Sequence, residues 1–420
     1  MDSRISISAR GSAIQLKAGA VLGICCLAMS GSALAQTPAE ELDQRWFDIC
    51  KGASEDSDLF QQCELLVRSG GPGSGGRRSA AAVGNNLGVV SAQSRASATG
   101  VRIQAANIES RLEEEDEEEE EGGSASAEMN FGRMSLFVTA NYTDTERDQS
   151  DFETGFEQDL YGLTVGADYR YSDRVTAGLA LGYSDSNADF DANAGELDTD
   201  SISLIAYGNF RPSADLYLDA YLGYASLDYK STRNINYELL SDDVLIGTVS
   251  EVANGKTDGD QWFGGVKLGY DRAYGQWTLS PQGSIDFIET DIDAYSESGG
   301  GGLAQSYGDQ SISSLTAGLG ARVSYALSRS WGVLLPQASL NYIHEFDDDA
   351  RTLTSSFVQD TGNFQLSYLT EAPDRNYFTA GIGATAVLAN GVMPFIDYQA
   401  LLGHDFLDEQ VITIGVRIEL

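Results

Sequence analysis

Two histidines, four cysteines and one run of nine acids are the side chains in this 420-residue sequence whose types and spacing could do chemistry. A Ser-His-Asp relay needs an imidazole to take the serine proton. Both imidazoles, His344 and His404, lie in the C-terminal part, and the region before residue 129 has none. A hydrolase in that region is therefore not expected, and the chain reads as no enzyme. His344, followed by Glu345, reads as a strand-end residue at a membrane interface rather than a ligand. The Gly-rich stretch 69–76 lacks the Lys-Ser/Thr ending of a phosphate loop. Cys25 and Cys26 sit in an apolar stretch near the N-terminus, which leaves Cys50 and Cys63. An exported pair enclosing a short loop most often forms a disulfide, the alternative being two free thiols. With no His or further Cys nearby, no metal site, redox centre or cofactor is expected. The acids 113–121 repel one another and lack turn residues to fold them into a calcium cage, so they read as an extended, solvated linker.

The elements that would carry these residues begin with an export signal. Arg4, Arg10 and Lys17 precede a small and apolar stretch, and Ala33-Leu34-Ala35 offers cleavage between Ala35 and Gln36. The net charge of −37 excludes nucleic acid as a partner, because binding it needs clustered Lys and Arg. Residues 36–68 hold an amphipathic piece around Trp46, Ile49, Leu59 and Leu65, enough for a disulfide-clipped hairpin but not for an independent core. A flexible linker, 69–76, follows. Residues 79–112 have helical potential and unusually small side chains.

From about Phe131 the pattern changes to period two. Tyr161, Leu163, Val165, Ala167, Tyr169 and Tyr171 alternate with Gly162, Thr164, Gly166, Asp168 and Arg170, and the chain ends on the same alternation over Ile412–Leu420. Twelve such strands can be counted. The connections alternate between tight turns, such as Ser172-Asp173 and Ala389-Asn390, and long polar segments, among them 185–199, 230–258 and 348–373. An even count, short turns on one side and long loops on the other predict an all-β fold, a 12-stranded antiparallel transmembrane β-barrel. The charged residues Asp168, Lys267, Asp286 and Arg322 sit mid-strand, where a closed barrel offers a hydrated lumen and a sandwich would not.

Two stretches carry a family resemblance. Leu334–Phe346, with Pro336 and the ending His344-Glu345-Phe346, resembles a late strand of the autotransporter (type V secretion) translocator barrel. Pro394–Tyr398 followed by Gln410–Leu420 is similar to its last two strands, although Leu420 stands where outer-membrane proteins usually end in Phe. The resemblance implies a barrel over 129–420 and a helix left inside the pore within 77–128. It also implies export of an upstream passenger, here the very short 36–76 that follows the signal peptide 1–35. Small side chains suit a narrow lumenal helix, with Arg95, Arg102 and Arg111 placed to meet lumenal acids such as Asp168, Asp219 and Asp286; a mobile stalk is the alternative. Asn85-Asn86 resembles the paired-Asn junction at which some family members cleave themselves, or else provides polar helix residues facing water. The implied partners are outer-membrane lipid, the barrel assembly machinery and periplasmic chaperones, with a monomeric barrel in the outer membrane of a Gram-negative bacterium. The other functional readings are a plugged diffusion channel and an adhesin acting through its acidic loops.

Overall fold

The computed structural model describes Trp46 and residues 48–68, 88–121, 133–150, 152–241 and 244–420. The predicted signal peptide with its Ala35/Gln36 junction, the linker 69–76 and Asn85-Asn86 lie outside the described residues. Twelve long antiparallel strands form the body: β1 Met134–Arg147, β2 Phe156–Ser172, β3 Val175–Phe190, β4 Gly195–Phe210, β5 Leu216–Ser241, β6 Val244–Tyr270, β7 Trp277–Ile292, β8 Gln310–Tyr325, β9 Gly332–Glu345, β10 Asn376–Leu388, β11 Val392–Leu402 and β12 Leu407–Glu419. Each pairs with its chain neighbour, and β1 pairs with β12 from Ser135 opposite Glu419 to Arg147 opposite Leu407, so the sheet closes. Closure leaves no open edge in lipid.

Alternation decides which side chain meets which medium. In β3, Leu179, Leu181 and Tyr183 point outward and are exposed, while Ala180, Gly182 and Ser184 are buried. Higher on the same strand the polarity inverts. Asp185, Asn187 and Asp189 face out, and Ala188 and Phe190 are buried. β4 repeats the switch, with Leu204 and Ile202 giving way outward to Asp200, Asp198 and Glu196 while Leu197 turns in. Outward apolar residues fit hydrocarbon and outward acids fit water, so the switch marks the outer limit of the apolar band. Five tyrosines sit at that limit, each donating its hydroxyl to the neighbouring strand: Tyr142 to Asp159, Tyr183 to Asp200, Tyr224 to Asp260, Tyr342 to Asn376 and Tyr398 to Gln410. Tyr270, Trp277 and Trp331 are exposed at the opposite rim.

The inversion corrects the expectation that 185–199 and 230–258 are loops. Both are mainly strand: β5 and β6 form one hairpin of 26 and 27 residues. At about 3.3 Å per residue it runs some 85 Å, far beyond a ~25 Å apolar band. The acidic run is also corrected. Helix α2, Gly88–Glu121, continues through it, so 113–121 is not extended. Glu is a good helix former, and the packed turns before it supply the nucleus.

Candidate functional site

Helix α2 lies inside the barrel, and its small side chains let it lean on one wall. Ala92 and Ala96 pack with Phe156, Phe190, Leu197, Leu227 and Tyr229 near the outer end. Val101, Ile108 and Leu112 pack with Phe137, Ile205, Tyr207 and Phe263 below. Glycines in the wall make room. A Cβ on Gly182 would lie 2.7 Å from the Gln104 side chain and 2.4 Å from Ser203 Oγ.

Polar contacts fix the register of helix and wall. Ser97 shares a hydrogen bond with Tyr229, and Ser203 donates to Gln104. Asn107 donates to Asn141 at 2.7 Å and to Thr164 at 2.8 Å, and receives a bond from Asn141 at 2.8 Å. At the lower end Arg111 makes a two-pronged pair with Asp168, at 2.8 and 2.6 Å, and both side chains are 2% exposed. Tyr207 donates to the same carboxylate at 3.0 Å.

The other residues singled out in the sequence are distributed differently. Asp219 is buried and accepts from Asn209 at 2.7 Å. Asp286 accepts from Tyr221 at 2.8 Å and lies within electrostatic reach of Lys267 and Arg102. Lys267 in turn pairs with Glu109 of the helix. Arg102 faces away from the packed wall, and Arg95 lies on α2 with its side chain outside the described part. Cys50 and Cys63 are joined, tying the helical turn 48–52 to helix α1, Asp58–Arg68. His344 bonds Asn376 at 2.8 Å, and His404 meets Asp374 at 2.7 Å. Among the described residues no cluster of His, Cys, Asp and Glu could hold a metal ion.

Because the helix leans on β2–β5, a cavity of about 680 Å³ remains along the opposite wall. Acids outnumber bases on its lining: Glu109, Asp286, Glu345, Asp374, Asp397 and Glu409 are among them, against Arg102, Lys267, Arg322 and Arg351. Sequence reasoning missed this space, since nothing in the α2 sequence says which wall it will choose.

A second feature was also missed. Four short strands, 295–296, 305–307, 352–357 and 366–369, form a separate sheet above the barrel from the two longest loops. It packs against the inner face of the tall hairpin through Ile235, Tyr237, Leu239 and Val249. Trp46, Ile49, Leu59 and Cys63 are buried in the same cluster. Helix α2 reaches this layer at its upper end, where Gln93 donates to Tyr295 at 3.2 Å.

A closed twelve-strand barrel, apolar outward and plugged by a helix entering from the tight-turn end, defines an outer-membrane translocator domain. A family model described as Autotransporter beta-domain matches residues 136–399, more than half of the chain, and the chain belongs to that family. The translocator domain of autotransporter NalP from Neisseria meningitidis shares the fold, with a TM-score of 0.58 and 19% identity, over 80% of this chain and 99% of that one. Esterase EstA of Pseudomonas aeruginosa is 28% identical over 258 residues, 60% of this chain and 38% of that protein. Lipase 1 of Photorhabdus luminescens is 26% identical over 230 residues, 54% of this chain and 33% of that protein. The chain thus spans well under half the length of these relatives. Their names overturn the expectation that the chain is no enzyme, because proteins sharing this barrel are named as an esterase and a lipase. The missing upstream imidazole was too local a criterion. The protein resides in the outer membrane of a Gram-negative bacterium and functions there as a translocator.

Proposed function

We propose that the barrel exports the N-terminal side of its own chain and holds residues 46–68 at the cell surface. One observation carries the reading. The lumenal helix has its lower end pinned by Arg111 to Asp168 and its upper end at Tyr295, in the same layer that buries Trp46, Ile49 and Leu59. Strand ends joined by tight turns face the periplasm in outer-membrane barrels, so the loop layer faces outward. In this reading residues 1–35 direct export and are removed after Ala35, and the barrel assembly machinery with periplasmic chaperones inserts a monomeric barrel. The esterase and lipase named among the relatives would be passengers using the same route.

The cavity favours a second reading, a partly plugged channel for small solutes. Epitope tags decide between the two. A tag within Ser69–Gly76 should be cut by protease on intact cells, and a tag at Gly122-Gly123 should be protected until the outer membrane is permeabilised. Protection of both would place the N-terminal segment in the periplasm and leave the channel.

A further inference from the structure

Residues 46–68 are more than a tail that has come to rest. Twenty-odd residues cannot bury a Trp, an Ile and a Leu among themselves, yet Ile49 and Leu59 are fully buried and Trp46 is 5% exposed. Their partners come from the loops. Trp46 stands edge-on to Phe357 at 5.7 Å, and the cluster continues through Leu303, Leu353, Leu366 and Tyr368.

The polar seam is equally specific. The Leu59 backbone N–H donates to Gln359 at 2.9 Å, Gln62 donates to the Gly301 carbonyl at 3.1 Å, and Tyr237 donates to Gln62 at 2.7 Å. The Thr361 N–H donates to the Gly52 carbonyl at 3.1 Å, beside a bridge between Ala53 and Asp360. The seat for α1 is the run Gly299–Gly302, in which all four residues have positive φ, from 52° to 93°. At Gly302 a Cβ would lie 2.3 Å from the Leu59 nitrogen, so only glycine admits the helix start. The loop sequence is shaped to receive this segment.

We infer that residues 46–68 form a lid that binds the extracellular loop layer as a ligand binds a site, and that stays bound when the chain between lid and lumenal helix is cut. Proteolytic processing in 69–87 would then yield a two-piece surface complex rather than a released peptide. A tether keeps its two ends at high effective concentration and conceals how strongly they bind. Cutting it exposes the intrinsic affinity. The inference rests on the display reading only for the side of the membrane on which the lid sits.

The test uses the full chain purified in detergent, with a site-specific protease sequence replacing residues 70–75. After cleavage, the N-terminal fragment should co-elute with the barrel on gel filtration. In Gly302→Val, where the seat is blocked, and in Leu59→Asp, where the anchor is charged, the fragment should elute separately. Both barrels should keep their slower migration on heating, and Leu59→Asp leaves the barrel sequence untouched. Separate elution from the unaltered loops would overturn the inference, and so would retention by both variants. Because detergent gives protease access from both sides, this result is independent of the surface labelling that tests display.

Discussion

The pair Arg111–Asp168 shows what a single contact contributes to a lumenal plug. Two charges taken out of water are costly, and removing one partner strands the other, typically at about 3–5 kcal/mol. Arg111→Met should therefore destabilise the purified barrel by roughly that amount in heat or denaturant unfolding. Adding Asp168→Asn should restore most of the loss, because the stranded charge disappears while Tyr207 keeps an oxygen to donate to. Unchanged stability of the single variant would show that the pair holds nothing in place, and equal loss in single and double variants that the stranded carboxylate is not the source of the cost. An arginine on a small-residue helix and an acid on a polar strand face could both be recognised in the sequence, as could the kind of contact they make inside a barrel. The choice of partner could not. Asp219 and Asp286 stand on similar faces yet are satisfied by Asn209 and Tyr221, contacts fixed by barrel stagger rather than by residue type.

Strands behave as two elements joined end to end. In β3 and β4 the lower part is written for lipid and the upper part for water. Period two persists throughout, which made twelve strands countable, but the inversion of polarity at Asp185 and Asp200 disguised the upper parts as loops. Above the tyrosines the outward acids fall into register. Asp408, Glu146, Glu157, Asp189 and Glu196 stand directly opposite one another across five neighbouring strands. Like charges facing across a ladder cost about 0.2–1 kcal/mol per pair. Glu157→Gln, at the centre of the row, should raise the unfolding midpoint in low salt. The gain should vanish near 1 M salt, where the screening length falls to about 3 Å. A gain independent of salt would remove repulsion as its cause. The lid was illegible for a different reason. Its contacts, such as Leu59 with Gln359, join residues 300 apart in the chain, in segments that have no common period.

At the scale of the molecule, lid, loop layer and lumenal helix form one column beside the lumenal cavity. Three tyrosines beneath the lid make the column sensitive to alkali. Burial first, and then Glu297, pushes the phenols of Tyr295 and Tyr307 well up, while burial and then Glu251 do the same for Tyr237. A raised folded-state pKa means the contribution is complete below the unfolded value, about 10, and is lost as pH climbs above it. The lid should stay docked at neutral pH and leave above about pH 10, followed as tyrosinate absorbance rising together with protease access to 46–68. Ionisation of all tyrosines in one step at their ordinary pKa, with the lid still protected, would contradict this. The off-centre helix has a mechanical consequence as well. Strands β1 and β12 close a ring around α2, so the chain is threaded, and a pull from outside acts along the lumen rather than across it. The lid would yield first. The 34-residue helix would then pay out inside the ring, lengthening from about 1.5 to about 3.4 Å per residue and giving some 65 Å of slack before load reached the strands. The barrel is in this sense a mooring, with its own line stowed inside.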